Sequence, residues 1–97
     1  MTRKAPASLS AEAKTLWRAT LDEYSFDSAP DFQLLRQLCE SVDGVRACQK
    51  AIKRDGMLVT GSTGQVRQHP LLAAEAEYRR AVLACVRALR LNSTPEF

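Results

Sequence analysis

Few side chains in this sequence could do covalent or metal chemistry, and their spacing narrows the choice further. There is one histidine, His69, and there are three cysteines, Cys39, Cys48 and Cys85. No CxxC pair occurs, and a structural zinc site needs four ligands at suitable spacing. The Ser, Cys and His residues form no nucleophile set. His69 precedes Pro70, which forces an extended backbone, and it is read as shaping a helix entry. Asp22, Glu23, Asp27 and Asp31 straddle a helix end and a linker, and read as a solvated acidic surface rather than a divalent-ion site. Gly61-Ser62-Thr63-Gly64 lacks the GK[ST] ending and βαβ setting of a phosphate cradle. Trp17 sits on a helical apolar stripe and reads as core rather than as a base-stacking platform. No catalytic residue, metal or cofactor is therefore expected.

The remaining chemistry is cationic. Lysines and arginines supply most non-specific affinity for DNA by contacting phosphates. The leading set is Arg46, Lys50, Lys53 and Arg54. Lys14 and Arg18, four apart, form a second set, and Arg3 and Lys4 stand in front of them. Cations also suit the negative end of a helix, so part of the leading signal is ordinary terminal electrostatics. The formal net charge is +3, unevenly divided: residues 1–18 carry +3, 19–43 carry −5, 44–70 carry +4 and 71–97 carry +1. Such a chain presents opposite charges at different places, suited to a polyanion or to copies of itself.

These residues must be placed by helices and one hairpin. Ser8 or Ser10 caps a first helix, whose stripe is Ala13, Leu16, Trp17, Thr20, Leu21 and Tyr24, ending near Ser25. Pro30 opens a second helix, with Asp31 in its first turn. Leu35, Leu38, Val42, Val45, Gln49 and Ile52 repeat at alternating spacings of three and four, a heptad seam. The seam crosses Asp43-Gly44, which otherwise resembles a turn, so one helix of about 25 residues is predicted to end at Gly56. Leu34, Cys39 and Cys48 widen its apolar face, and a face this broad packs on more than one neighbour. The expected oligomer interface is Leu34, Leu35, Leu38, Val42, Val45 and Ile52. Met57 to Gln68 reads as a hairpin, marginal alone, that needs a helix or another subunit beneath it. Pro70 then starts a third helix with the stripe Leu71, Ala74, Tyr78, Val82, Cys85, Val86 and Leu89.

A chain of 97 residues makes one domain at most. It buries about 60–65% of its unfolded surface, so its core is small and oligomerisation would extend it. The odd cysteine count suits buried thiols in a reducing cytoplasm. No apolar run approaches a membrane span, and no apolar segment follows Arg3 and Lys4 as in a signal peptide. The fold expected is mainly α: a short N-terminal helix, a long antiparallel helix pair and a small β-hairpin between the second and third helices.

Leu9-Ser10, Glu12-Ala13-Lys14, Leu16-Trp17, Glu23-Tyr24, Leu34-Leu35, Cys39-Glu40 and Asp43 are similar, in order, to the front half of short bacteriophage terminase small subunits. Gly56, Gly64, His69-Pro70, Leu89-Arg90-Leu91 and Thr94-Pro95 resemble their back half, with Gly64-x4-His69-Pro70 the most specific element. The resemblance implies a non-catalytic subunit in the bacterial host cytoplasm. It implies a ring-like homo-oligomer that engages viral double-stranded DNA at the packaging site and recruits or regulates the large ATPase and nuclease subunit. It implies no membrane partner. The organisation expected is a flexible basic tail over residues 1–7, a single oligomerisation and DNA-packaging domain over 8–92, and a short tail over 93–97. Arg90 stands where the family pattern has Gly, so the third helix is expected to run further. The residues themselves leave two other readings open. One is a free-standing phage or mobile-element DNA-binding regulator; the other is a structural helical adaptor without DNA affinity.

Overall fold

The computed structural model describes residues 3–92 and 94–95. Met1 and Thr2 of the basic tail, and residues 93, 96 and 97 of the C-terminal tail, lie outside the described residues. The chain is elongated, 56 × 23 × 20 Å, with a radius of gyration of 16.0 Å. A compact domain of this size would have about 13 Å. The elongation follows from one helix, α2 (Ala29–Asp55), whose 27 residues form a spine about 40 Å long. Helix α1 (Ala11–Glu23) and helix α3 (Leu71–Leu89) pack along it. Strands β1 (Leu58–Thr60) and β2 (Val66–Gln68) form an antiparallel hairpin between α2 and α3. The mainly α fold expected from the sequence is the one observed.

Helix α2 runs unbroken through Asp43-Gly44, and the two residues serve different neighbours. Asp43 accepts from the backbone N–H of Ser10 at 2.9 Å and from the Ser10 hydroxyl. Ser10 Oγ in turn accepts from the Ala13 N–H, so the cap of α1 is anchored to the middle of α2. On the other side, a Cβ at Gly44 would lie 2.6 Å from the Tyr78 ring of α3. Glycine is therefore the residue that lets this ring approach α2 so closely. Tyr78, placed by its spacing on the apolar stripe of α3, is 41% exposed; it covers Gly44 from outside rather than entering the core.

The core gathers at one end of the spine. Leu9, Ala13 and Trp17 meet Leu35, Leu38, Cys39 and Val42 of α2 and Val82, Cys85, Val86 and Leu89 of α3. Helix α1 runs back along α2, from Asp43 and Arg46 at its start to Phe32 beside Trp17. It therefore leaves the C-terminal third of α2 paired with α3 alone. Residues 3–7, expected to be mobile, lie against this end: the Trp17 indole N–H donates to the Arg3 carbonyl at 3.0 Å, and Ala5 packs on the core.

Helix α1 ends at Glu23, two residues before the boundary expected near Ser25. Helix α3 stops at Leu89 instead of continuing past Arg90. Arg90 takes the left-handed conformation (φ 58°, ψ 42°) that ends many helices and that glycine usually supplies. Its N–H bonds the Arg87 carbonyl, and the Leu91 N–H bonds the Val86 carbonyl, which is the Schellman pattern. Tertiary packing of Leu91 on the core holds this turn despite the Cβ. Arg90→Gly should therefore raise stability by about 1 kcal/mol. In thermal unfolding that is a rise of about 4–8 °C for a domain this size, and no rise would refute the strain.

Candidate nucleic-acid interface

Helix α2 sets the geometry of the cationic residues. At about 100° per residue, Leu35, Leu38, Val42, Val45 and Ile52 point into the chain, and Arg36, Lys50 and Arg54 point to the opposite, solvent side within about 40° of one another. Lys50, Lys53 and Arg54 are exposed, beyond the reach of α1 and next to the hairpin. Arg67 on β2 is exposed as well and folds back over Gly61. Sequence periodicity gave no reason to single out Arg67; it joins this end only because the hairpin follows directly on α2.

The members of the leading set differ in their commitments. Arg46 is bound inside the subunit: its Nε donates to both Glu12 carboxylate oxygens at 3.0 and 3.2 Å, and an η-nitrogen donates to Gln49. It joins α1 to α2. Arg54 pairs with its neighbour Asp55 at 2.8 Å, an exposed contact of small energetic weight. Lys50 and Lys53 extend into solvent. Lys14 and Arg18 are not drawn into the same cluster, because α1 travels away from the Lys50–Arg54 end as it passes from Ser10 toward Trp17.

Most of the residues expected at the oligomer interface are already buried within the single chain. Leu35, Leu38 and Val45 are fully buried within the chain, Val42 is 2% exposed and Ile52 8%. The seam is broad enough for several helices, and the chain's own α1 and α3 occupy it. Leu34 keeps partial exposure. Among the described residues, the exposed large apolar side chains are Met57, Leu58, Val66, Tyr78 and Leu83. The strand register puts Leu58 and Val66 on the same face of the hairpin, with Thr60 and Gln68.

His69 is a junction residue. It is buried, its Nδ1 accepts from the Leu71 N–H at 3.1 Å, and its Nε2 lies 2.9 Å from Asp55 Oδ2. This arrangement puts the ring proton on Nε2, aimed at the carboxylate. The backbone N–H of His69 donates to the Met57 carbonyl at 2.7 Å, which prolongs the hairpin ladder. Arg54, and after it His69, hold the Asp55 carboxyl well below the usual carboxylate range. One residue, through its ring and its backbone N–H, thus ties the end of α2, the hairpin and the start of α3.

The thiols are poor nucleophiles. Burial, then Asp43, Glu40 and Cys85, push Cys39 up to about 12. Burial raises Cys48 and Cys85 as well. Among the described residues, no group of three or more His, Cys, Asp or Glu is placed to hold a metal ion. None of the described helices is long and apolar enough to cross a membrane.

The arrangement offers cation clusters on a rod-shaped helical frame, with an apolar hairpin at one end. No curated protein and no solved structure matches the chain. A family model described as phage terminase, small subunit, matches residues 13–95, which takes in all three helices and the hairpin. The chain belongs to the family of phage terminase small subunits.

Proposed function

We propose that this protein is a non-catalytic packaging subunit that assembles into a ring, engages viral double-stranded DNA and brings the large terminase subunit to it. The observation that supports DNA contact is the exposed group Lys50, Lys53, Arg54 and Arg67, presented at the outer end of a rigid helix. Family membership supports the packaging role and its setting in the host cytoplasm. Assembly is supported by the hairpin, since two strands alone are marginal and Met57, Leu58 and Val66 remain exposed. With the seam of α2 occupied internally, contacts between subunits fall to Leu34, Leu83 and the hairpin. A ring would repeat the cationic end around a circle and multiply weak contacts.

The test is to change Lys50 and Lys53 to Gln, confirm by light scattering that the oligomer persists, and titrate duplex DNA at several salt concentrations. The slope of log affinity against log salt should fall by about 1.8 per DNA-bound subunit, about 0.9 for each phosphate no longer engaged. An unchanged slope and affinity would remove this surface from consideration. A monomer mass at micromolar concentration would remove the ring. A dimer on a short palindrome would favour the regulator, and an oligomer indifferent to DNA at low salt would favour the adaptor.

A further inference from the structure

Folding brings the basic N-terminal tail onto Arg36, the one cation of the acidic stretch 19–43. A cleft of about 320 Å³ is lined by Arg3, Lys4, Pro6, Trp17, Ala29, Phe32, Gln33 and Arg36. Three of these residues are cations and none is a carboxylate. The tail is held in place by the Trp17 indole N–H on the Arg3 carbonyl, by the Leu9 N–H on the Pro6 carbonyl, and by the Arg3 guanidinium over the Phe32 ring at 4.2 Å. Arg3, Lys4 and Arg36 are exposed, and Arg36 makes only a loose pair with Glu40 at 3.5 Å.

Arg36 and Arg54 are eighteen residues apart on α2. That is about five whole turns, so they share one line along the helix, about 27 Å apart. Between them the outer face carries Glu40, which pairs with Arg36, Asp43, which Ser10 engages, and the short side chain of Ala47. The face therefore has cations at both ends, and the two carboxylates between them are each engaged within the chain. A span of about 27 Å covers about eight base pairs of duplex.

We propose that Arg3, Lys4 and Arg36 form a second phosphate-contacting site, so that one DNA duplex lies along the outer face of α2 and is held at both ends. This rests on the DNA-binding reading above. Repeated cations on one line match a uniform polyanion; a short acidic peptide would need one cluster only.

The experiment uses the assembled full chain and a labelled 24-base-pair duplex, titrated at several salt concentrations. Three proteins are compared: wild type, Arg3→Gln/Lys4→Gln/Arg36→Gln, and Lys4→Gln/Arg36→Gln. The last leaves the Arg3–Phe32 contact in place. The triple variant should keep its oligomer mass and helical circular dichroism. Its salt slope should fall by about 2.7 per DNA-bound subunit, and that of the double variant by about 1.8. The single tryptophan gives a second readout. Trp17 fluorescence should change on DNA addition to wild type and stay constant in the triple variant. Wild-type slope and affinity in both variants would overturn the proposal while leaving the Lys50 and Lys53 surface standing. A parallel titration with poly-glutamate that wild type binds and the triple variant does not, with DNA binding intact in both, would also overturn it, assigning the site to an acidic protein. Absence of any DNA binding by wild type would sink this proposal and the DNA-binding reading together.

Discussion

Leu38→Ala is expected to cost about 2–5 kcal/mol of folding stability. Leu38 is completely buried in α2 at the level where α1 and the exit from α3 meet. Together with Leu16, Thr20, Tyr24 and Leu91 it lines a small cavity of about 130 Å³. Truncation would enlarge that space at a point where three helices must all move to refill it, so relaxation is limited and the cost is set by forfeited dispersion attraction. Domains of this size are stable by only about 5–15 kcal/mol. The midpoint of thermal unfolding should fall by about 8–40 °C, taking about 4–8 °C for each kcal/mol. The measurement is circular dichroism melting at a fixed protein concentration, because assembly makes the midpoint concentration-dependent. A loss under about 1 kcal/mol would mean that the three helices do not close on this residue.

His69→Ala is expected to destabilise by about 1–3 kcal/mol, with the damage confined to one end. The substitution leaves the Leu71 N–H without its acceptor and Asp55 with Arg54 as its remaining partner. Hydrogen exchange should accelerate in the hairpin and the first turn of α3, and remain slow around Leu38. Uniform acceleration through all three helices would contradict a local role. The same junction gives a pH dependence. Asp55 is held low in the folded state, by Arg54 first and by His69 second. Its contribution is therefore complete above the unfolded-state value of about 4 and is lost as pH falls through the lower folded-state value. Asp55→Asn should flatten the acid limb of a stability profile and leave the slope near neutrality unchanged. An acid limb identical to wild type would show that the carboxylate is not so held.

The linear pattern of residues determined the secondary structure closely, because caps, stops and periodicities are local. Ser10, the Ser28-Ala29-Pro30 start, Gly56 and the alternating three-and-four spacing act within one or two turns, and the helices begin and end where these signals stand. The spacing from Leu35 to Ile52 carried α2 through Asp43-Gly44 because burying a continuous seam outweighs the cost of about 1 kcal/mol for one glycine. The family was legible for the same reason: its pattern is an ordered series of local elements.

Only the tertiary structure decided what those elements touch. The seam shows that α2 has neighbours but carries no information on whether they belong to the same chain; α1 and α3 fill it, so Leu35, Leu38, Val42, Val45 and Ile52 face inward. Arg46 and Lys50 look equivalent in sequence, yet Glu12, 34 residues away, engages Arg46. Arg90 ends α3 where its type alone favours continuation, because Leu91 docks on the core and the Schellman bonds fix the turn. Arg3 and Arg36 lie in segments of opposite net charge, and the Trp17 indole brings them to one cleft. Each of these outcomes depends on a contact between residues distant in the chain, and such contacts are set by packing the helices together rather than by any window of sequence.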